Sequence, residues 1–230
     1  MRFFIGLVLT LALGVMGCSD SEGAGGSAGD GGVGGDGGVG GSPVACADFV
    51  CPCTEAGIRA AIAEGGGPFT FECDGPTTVH AKEIGIGNDV ILDGEGDLTV
   101  YGSHSGRVFS IGGGNVTLKG IRVRGGYVVG DLGGGGILNG GTLTLENCTV
   151  SGNFADVGRF PAEGFPGGAG IYNFGDLTVV NSTVSGNTAD RGAGAGIFSL
   201  SGEVSIINST VSGNTVEQGG QGTSIGLFGG

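Results

Sequence analysis

The chain contains 230 residues, 58 of them glycine, and its formal net charge is −13 at pH 7. A chain this acidic lacks the basic surface on which nucleic-acid binding depends, and long-range attraction to other polyanions is also unfavourable. Alternating apolar residues recur along most of the chain, so its glycine content does not indicate a disordered protein. We therefore expect a folded protein with no nucleic-acid partner.

The N-terminal segment is typical of a bacterial lipoprotein signal peptide. A basic start, Met1-Arg2, precedes an apolar run, and Val15-Met16-Gly17-Cys18 resembles a lipobox. The run is short for a membrane span and is followed by a polar tail. We predict that residues 1–17 are removed and that Cys18 becomes the lipidated N-terminus of an extracytoplasmic protein in the outer membrane or at the cell surface. The alternative is an ordinary secretory signal peptide.

A glycine-rich segment, residues 18–44, follows the anchor and contains almost nothing that could form a core. This composition predicts a flexible tether. Beyond it we expect two further parts, a cysteine-rich cap over residues 45–80 and a repetitive body over residues 81–230.

Four cysteines cluster in the predicted cap, namely Cys46, Cys51, Cys53 and Cys73. In a chain that leaves the cytoplasm, such a cluster predicts two disulfides, and the sequence leaves all three possible pairings open. Zinc binding is the alternative, but paired CxxC spacing and a nearby histidine are both missing. We predict disulfides and no metal.

One helix is predicted, over residues 54–64. Thr54 is a suitable N-cap, three apolar residues share one face, and glycines from Gly65 onward end the helix. The open end of a strand stack exposes unpaired edges, so we expect this helix to cover the first rung. The segments 69–73 and 77–81 are the expected strands that lead from the cap into the body.

The body is an internal repeat. The letters TVSGN occur at residues 149–153, 183–187 and 210–214, with looser copies before them, and equivalent positions are 26 to 34 residues apart. Periods of this length indicate solenoids or propellers, and a unit of three short strands with glycine-rich bends favours one rung of a parallel β-helix. We predict an all-β fold, a single-stranded right-handed parallel β-helix of about five to six rungs with a short N-terminal capping helix.

Stacking the copies predicts columns of equivalent side chains inside the helix. The apolar columns contain Leu118, Leu145, Val179 and Ile206, and Val123, Val150, Val184 and Val211. Two asparagine ladders are predicted, the first from Asn147, Asn181 and Asn208 and the second from Asn153, Asn187 and Asn214. The remaining Cys148 shares an inward column with Ile121, Ser182 and Ser209, which predicts a buried thiol.

The chain resembles the pectin-lyase-like right-handed β-helix proteins of bacterial surfaces. The likeness lies in the cysteine-rich entry, the capping helix GIRAAIAEG, the first rung VILDGEG and the repeats GGGILNGGTLTLENCTVSGN and GGAGIYNFGDLTVVNSTVSGN. Within that group the repeats are similar to those of chlamydial polymorphic outer membrane proteins. The resemblance covers residues 45–230 and implies surface display and adhesion.

Relatives by fold that cleave acidic glycans need a carboxylate cluster with a basic residue or two closely held aspartates. The best carboxylate cluster is Asp93-Gly-Glu95-Gly-Asp97, which we interpret as a solvated bend. Arg122 and Arg124 point outward with Lys119 nearby, either as a small anion-binding patch or as a solvated face. His80 and His104 stand alone in the sequence.

One bend is longer than its equivalents by seven or eight residues and includes Arg159, Phe160 and Phe165. Long loops on one edge of a solenoid are often its binding feature, and the alternative is that both rings fold back onto the rungs. We predict no catalytic residue and no cofactor. The expected function is adhesion, glycan binding or a structural role, with a polysaccharide or a surface protein as partner. The alternative is a carbohydrate-active enzyme, a polysaccharide lyase or glycosidase.

Overall fold

The computed structural model describes residues 45–130, 133–156, 167–190, 193–217 and 225–227. These residues form one helix, Glu55–Glu64, and a stack of short strands in which every named strand pair is parallel. The described residues wind through six rungs, whose first strands begin at Gly66, Val90, Asn115, Thr142, Asp176 and Val204. Within the described ranges, no helix has the length and apolar character needed to cross a membrane.

The strands form four parallel sheets, here numbered I to IV in the order in which a rung passes through them. Sheet I contains Val50–Pro52, Gly66–Glu72, Val90–Asp93, Asn115–Lys119, Thr142–Glu146, Asp176–Val180 and Val204–Ile207. Sheet II contains Thr77–His80, Leu98–Tyr101, Arg122–Arg124, Thr149–Ser151, Thr183–Ser185 and Thr210–Ser212. Sheet III contains Tyr127–Val129, Phe154–Asp156, Thr188–Asp190 and Thr215–Val216. Sheet IV contains Ile84–Ile86, Phe109–Ile111, Ile137–Asn139, Ile171–Asn173, Ile197–Ser199 and Ile225–Leu227.

This architecture confirms the predicted all-β parallel β-helix with a short N-terminal helix. The prediction of three strands per rung was wrong for rungs 3 to 6, which each have a fourth strand in sheet III. Such a strand places a single small side chain inside, Ala155 in rung 4 and Ala189 in rung 5. One inward alanine produces no apolar alternation, so the sequence pattern does not reveal the strand.

The predicted apolar columns lie in register and fill the core. In sheet II, Val123, Val150 and Val184 are paired across successive rungs, and each is at most 1% exposed. Burying a side chain of this size contributes roughly 1.5–3 kcal/mol. Ile206, in rung 6, is 36% exposed because it has a neighbouring rung on one side only among the described residues.

The cap is built from the helix and an additional strand. Thr54 is the N-cap, and its Oγ1 accepts a hydrogen bond from the backbone N–H of Gly57 at 3.1 Å. The helix ends at Gly65, whose φ is +73°. Strand Val50–Pro52, which the sequence did not predict, pairs with Gly66–Glu72 at the edge of sheet I. The first strands of the body, Gly66–Glu72 and Thr77–His80, differ slightly from the predicted 69–73 and 77–81.

The four cap cysteines form two disulfides, Cys46–Cys51 and Cys53–Cys73. The second bond joins Cys53, which precedes the N-cap Thr54, to Cys73, which follows Gly66–Glu72. It therefore ties the cap to the first rung. Cys148 is buried and unpaired, as its inward position suggested.

An asparagine ladder runs through the interior beside sheet II. Asn153 Nδ2 donates to Asn187 Oδ1 at 2.9 Å, and Asn187 Nδ2 donates to Asn214 Oδ1 at 2.9 Å. The same oxygens accept from the backbone N–H of Asn153 and of Asn187. Each amide therefore satisfies buried backbone groups as well as its neighbour, which removes the penalty for burying them.

The other predicted ladder, of Asn147, Asn181 and Asn208, does not form. All three side chains are exposed, and none makes a hydrogen bond to another described residue. Their φ angles are +53°, +48° and +47°. Asparagine tolerates this left-handed conformation better than most residues, so these positions are turn residues rather than a ladder.

A second interior ladder, missed in the sequence, follows sheet IV. Asn139 Nδ2 donates to Asn173 Oδ1 at 2.6 Å, and Asn173 Nδ2 donates to Ser199 Oγ at 2.9 Å. Because its last member is serine, identity between repeats does not reveal it.

Candidate functional site

Five aromatic or imidazole rings form a continuous row on the surface of rungs 1 to 4. We call this set, His80, Tyr101, His104, Tyr127 and Phe154, the aromatic row. Successive ring centroids are 5.2, 5.5, 6.4 and 4.7 Å apart. The first three contacts are edge-on, and Tyr127 stacks on Phe154 with an interplanar angle of 12°. The row therefore follows the stacking direction of the rungs.

The row remains accessible to solvent. His80 and His104 are exposed, Tyr127 is 39% exposed, and Tyr101 and Phe154 are half-buried. A contiguous line of solvent-accessible rings favours an interaction site over isolated surface aromatic residues.

Polar contacts fix the first three rings. Tyr101 Oη and His104 Nε2 lie 2.6 Å apart, and His80 Nδ1 lies 3.1 Å from Ser103 Oγ. The bend that carries His104 takes a left-handed turn, with φ of +54° at Ser103 and +53° at His104. The backbone N–H of His104 donates to the carbonyl of Gly125 in the next rung at 2.9 Å, which holds the bend against rung 3.

Gly125 makes room for Tyr101. A Cβ atom at Gly125 would collide with the Tyr101 ring, and the φ of Gly125 is +66°. The ring therefore lies over bare backbone of the following rung. This close approach keeps Tyr101 in line with its neighbours in the row.

Arg124 continues the column that starts with two members of the aromatic row. In sheet II, His80 is paired with Tyr101, and Tyr101 with Arg124. Arg124 is exposed. Arg122, on the same strand, donates to the carbonyl of Gly96. Arg124 therefore extends this column beyond Tyr101 with an exposed side chain, whereas the Arg122 guanidinium is engaged with the neighbouring rung.

The acidic cluster lies on a different part of the surface, in an open groove of about 370 Å³ lined by Asp93, Glu95, Gly96, Lys119, Gly120 and Asn147. Lys119 Nζ is 2.8 Å from Asp93 Oδ2. The structure thus brings Asp93, Glu95 and Lys119 together, and Arg124 is not among the lining residues.

The electrostatics of this groove disfavour Lys119 as a general base. The hydrogen bond from Lys119 to Asp93, and the charge of that carboxylate, raise the pKa of Lys119. A general base must be deprotonated near the working pH, and a lysine held in its protonated form is poorly suited to that role. Within the described ranges, no group of three or more His, Cys, Asp and Glu side chains could hold a metal ion.

Several predicted site residues lie outside the described residues. These are the lipid-attachment residue Cys18 and the loop residues Arg159, Phe160 and Phe165. Their roles stay predictions.

The aromatic row was missed in the sequence, where His80 and His104 had no visible partner. Four of its members lie on strands of four successive rungs and His104 lies in a bend, and the members are separated by 21, 3, 23 and 27 positions. The available signal was the period itself, because residues about one repeat apart become neighbours in a stack.

The comparison with family models agrees with this stack of rungs. Residues 83–230 match the model described as a right-handed β-helix region. The chain belongs to this right-handed β-helix family. Neither a curated protein nor a solved structure matches the chain.

The family match begins at Glu83, so it includes every member of the aromatic row except His80. It does not include the disulfide-linked cap. In a right-handed β-helix the interior columns account for the fold, while the exterior varies between proteins and carries the specific function. The specific function of this chain therefore depends on the residues of its own outer face.

Proposed function

We propose that the protein is a non-catalytic glycan-binding protein held at the cell surface by a lipid on Cys18. The observation that carries this proposal is the exposed aromatic row of rungs 1 to 4. Aromatic faces bind the apolar C–H faces of sugar rings, and tyrosine and histidine add hydrogen bonds at the ring edge.

The direction of the row fits an extended glycan. Its rings cross successive rungs, so a linear chain of sugars lying along the β-helix would contact several of them in turn. Arg124 adds a charged donor at the end of the His80 and Tyr101 column, where it can hydrogen-bond sugar hydroxyl or carboxylate oxygens.

The proposal also includes attachment of the protein at the cell surface. Lipidation of Cys18 would attach the chain to the membrane, and the glycine-rich residues 18–44 would give the folded body reach. Labelled fatty acid fed to cells should appear in the protein and be lost in Cys18→Ser. Protease added to intact cells tests exposure at the surface.

A carbohydrate-active enzyme is the second candidate, supported by the groove of Asp93, Glu95 and Lys119. Two carboxylates beside a cation are a common arrangement for cleavage of glycans. The raised pKa of Lys119 makes this lysine a poor base, so in this candidate Asp93 and Glu95 would have to serve as acid and base.

The test is retention of the full-length protein on a panel of immobilised polysaccharides, with product release measured in parallel. Tyr127→Ala should weaken binding by about fivefold, because a stacked aromatic contact is worth around 1 kcal/mol. Phe174→Ala is the matched control, since Phe174 is also 39% exposed and is not a member of the row. It should bind like the parent.

The outcomes separate the two functions. Equal losses for Tyr127→Ala and Phe174→Ala, or no retention by any glycan, would overturn the proposed binding face. Release of cleaved product that disappears in Asp93→Asn would instead establish the enzyme.

A further inference from the structure

Three exposed asparagines lie in the bends just before the sheet II strands of rungs 4 to 6, and each opens an Asn-X-Thr triplet. The triplets are Asn147-Cys148-Thr149, Asn181-Ser182-Thr183 and Asn208-Ser209-Thr210. The pattern of asparagine followed two residues later by threonine is the acceptor sequence for N-glycosylation, which requires a surface position. We call Asn147, Asn181 and Asn208 the outer asparagines.

The amide groups of the outer asparagines are not used by the fold. None of the three side chains makes a hydrogen bond to another described residue. The asparagines of the two interior ladders are engaged with their neighbours, and each of them is followed two positions later by glycine, alanine or valine. These are Asn139, Asn153, Asn173, Asn187 and Asn214. The triplet therefore occurs where the amide nitrogen is accessible and is absent where it is engaged.

Each triplet presents its asparagine and its threonine on the outside of the β-helix. The middle residue points inward, and in rungs 4 and 5 it is buried. The threonine is the first outward residue of the sheet II strand, and its hydroxyl makes no hydrogen bond to another described residue in any of the three rungs. An enzyme that recognises both residues would find both on the surface.

The geometry of the turn explains only part of this pattern. The turn needs a left-handed residue, and Asn147, Asn181 and Asn208 have φ angles of +53°, +48° and +47°. Rung 3 meets the same need with Gly120, whose φ is +59°, and its residue at the threonine position is Arg122. Glycine adopts this conformation freely, so the turn alone requires neither the asparagine nor the threonine.

We infer that Asn147, Asn181 and Asn208 are sites of N-glycosylation. The co-substrate is a sugar activated by a diphosphate on its anomeric carbon, and a glycosyltransferase of the host cell transfers it. The Asn Nδ2 forms a bond to the anomeric carbon, and the bond from that carbon to the phosphate oxygen breaks. The diphosphate leaves with the bonding electrons and the amide nitrogen loses one proton, so the product is a neutral amide linked to a sugar.

A fourth triplet, Asn115-Val116-Thr117, provides a control within the chain. Asn115 is exposed, but its Nδ2 donates to Asp89 Oδ1 at 3.1 Å, and its backbone N–H donates to the same oxygen at 2.7 Å. It is also the first residue of the paired strand Asn115–Lys119 rather than a bend residue. Because its nitrogen is engaged with the neighbouring rung, we expect Asn115 to remain unmodified.

The experiment is peptide mapping by mass spectrometry of the full-length protein purified from its own host cells. Peptides that contain an outer asparagine should have the added mass of at least one sugar, and fragmentation that retains side-chain groups should locate it on the asparagine. The peptide that contains Asn115 should have its unmodified mass.

Thr183→Val tests whether the threonine hydroxyl is recognised. Valine keeps the β-branched shape that suits a strand, and the site is only half-buried. Sugar occupancy at Asn181 should fall to background, while Asn147 and Asn208 in the same molecule stay modified and show that the variant folds and meets the enzyme. Thr183→Ser keeps a hydroxyl and should keep the sugar. Ser185→Ala, which removes another outward hydroxyl of the same strand, is the matched control and should also keep it.

Unmodified masses at all three outer asparagines would overturn the inference. So would equal occupancy at Asn115, or a sugar on Asn181 that persists in Thr183→Val. Conversion of the outer asparagines to aspartate without any sugar would also overturn it, because these exposed side chains would then undergo deamidation only. The measurement is the mass of each peptide, so its outcome does not depend on whether the aromatic row binds glycans.

Discussion

The outer face of sheet II changes its chemistry between the first three rungs and the last three. One register column contains His80, Tyr101 and Arg124 in rungs 1 to 3, and Ser151, Ser185 and Ser212 in rungs 4 to 6. The backbone pairing is parallel and continuous across this change. A single scaffold therefore presents two surfaces, one aromatic and basic, the other small and hydroxylated.

The interior beside sheet II also changes between rung 3 and rung 4. Asn153, Asn187 and Asn214 form the ladder of rungs 4 to 6, and rung 3 has Gly126 at the equivalent position. A Cβ atom at Gly126 would collide with the Gly135 carbonyl, so no asparagine fits there. The ladder and the serine column of sheet II therefore occupy the same three rungs, and the column of His80, Tyr101 and Arg124 occupies the rungs without the ladder.

Breaking the ladder should have the largest effect and should be confined to the hydroxylated half. Asn187→Leu leaves the backbone N–H of Asn153 and the carbonyl of Val150 without their partner. We expect the free energy of unfolding to fall by roughly 3–5 kcal/mol, since each buried orphan group costs about 1–3 kcal/mol. Urea denaturation of the parent and the variant measures this difference in the free energy of unfolding.

Asn181→Gly is the control, because Asn181 is exposed with a φ of +48° that glycine adopts freely. Its effect should be within about 0.5 kcal/mol. A similar loss in both variants would show that the ladder does not stabilise these rungs.

Cys148 makes the inner column of rung 4 differ from those of rungs 5 and 6, which have Ser182 and Ser209. Burial raises the pKa of the Cys148 thiol from 9.0 to about 11. Between these pH values the unfolded chain loses the thiol proton first, so the contribution to stability is complete below pH 9.0 and is lost as the pH rises towards 11. The loss should reach about 2–3 kcal/mol.

Cys148→Ser places in rung 4 the serine that rungs 5 and 6 have at this position, and it should remove this pH dependence of stability. The other titrating groups are the same in the parent and the variant. Denaturant unfolding at several alkaline pH values gives the difference. If the two proteins lose stability in parallel with pH, the thiol is not held protonated by the fold.

Gly125→Ala should disturb the aromatic half alone. The new methyl group collides with the Tyr101 ring and displaces it from the row. Gly186→Ala is the matched control, because its φ of +62° resembles the +66° of Gly125 and nothing lies within 4 Å of its Cβ position. Both variants should lose about 1 kcal/mol from backbone strain.

Only Gly125→Ala should lose glycan retention, measured on the polysaccharide that the parent binds best. Equal glycan retention by the two variants would mean that the position of the Tyr101 ring does not matter for binding.

The smallest effect on stability is expected from Arg124→Ser, which extends the serine column by one rung. Arg124 is exposed, so the unfolding free energy should change by less than about 0.5 kcal/mol. Glycan retention should weaken a few-fold, because a charged donor beside the aromatic row is lost. Unchanged glycan retention would show that the boundary between the two surfaces does not lie at Arg124.

The repeat predicted much of the fold, because the spacing of TVSGN fixes which residues stack. The valine columns, the ladder of Asn153 and the helix from Glu55 to Glu64 followed from local pattern. The predicted ladder of Asn147, Asn181 and Asn208 was wrong because asparagine occurs both in buried ladders and in left-handed turns. The amino-acid sequence alone does not separate these two uses.

The sequence by itself determined the parallel β-helix, since apolar alternation at a fixed period leaves few other ways to bury these side chains. Only the tertiary structure decided what the outer face presents. Its aromatic row joins Tyr101 to His104 and Tyr127 to Phe154 across bends and rungs. The physical reason is that interior positions are constrained by the same neighbours in every rung, whereas an exterior contact depends on bend lengths and on where a glycine such as Gly125 allows a ring to lie flat.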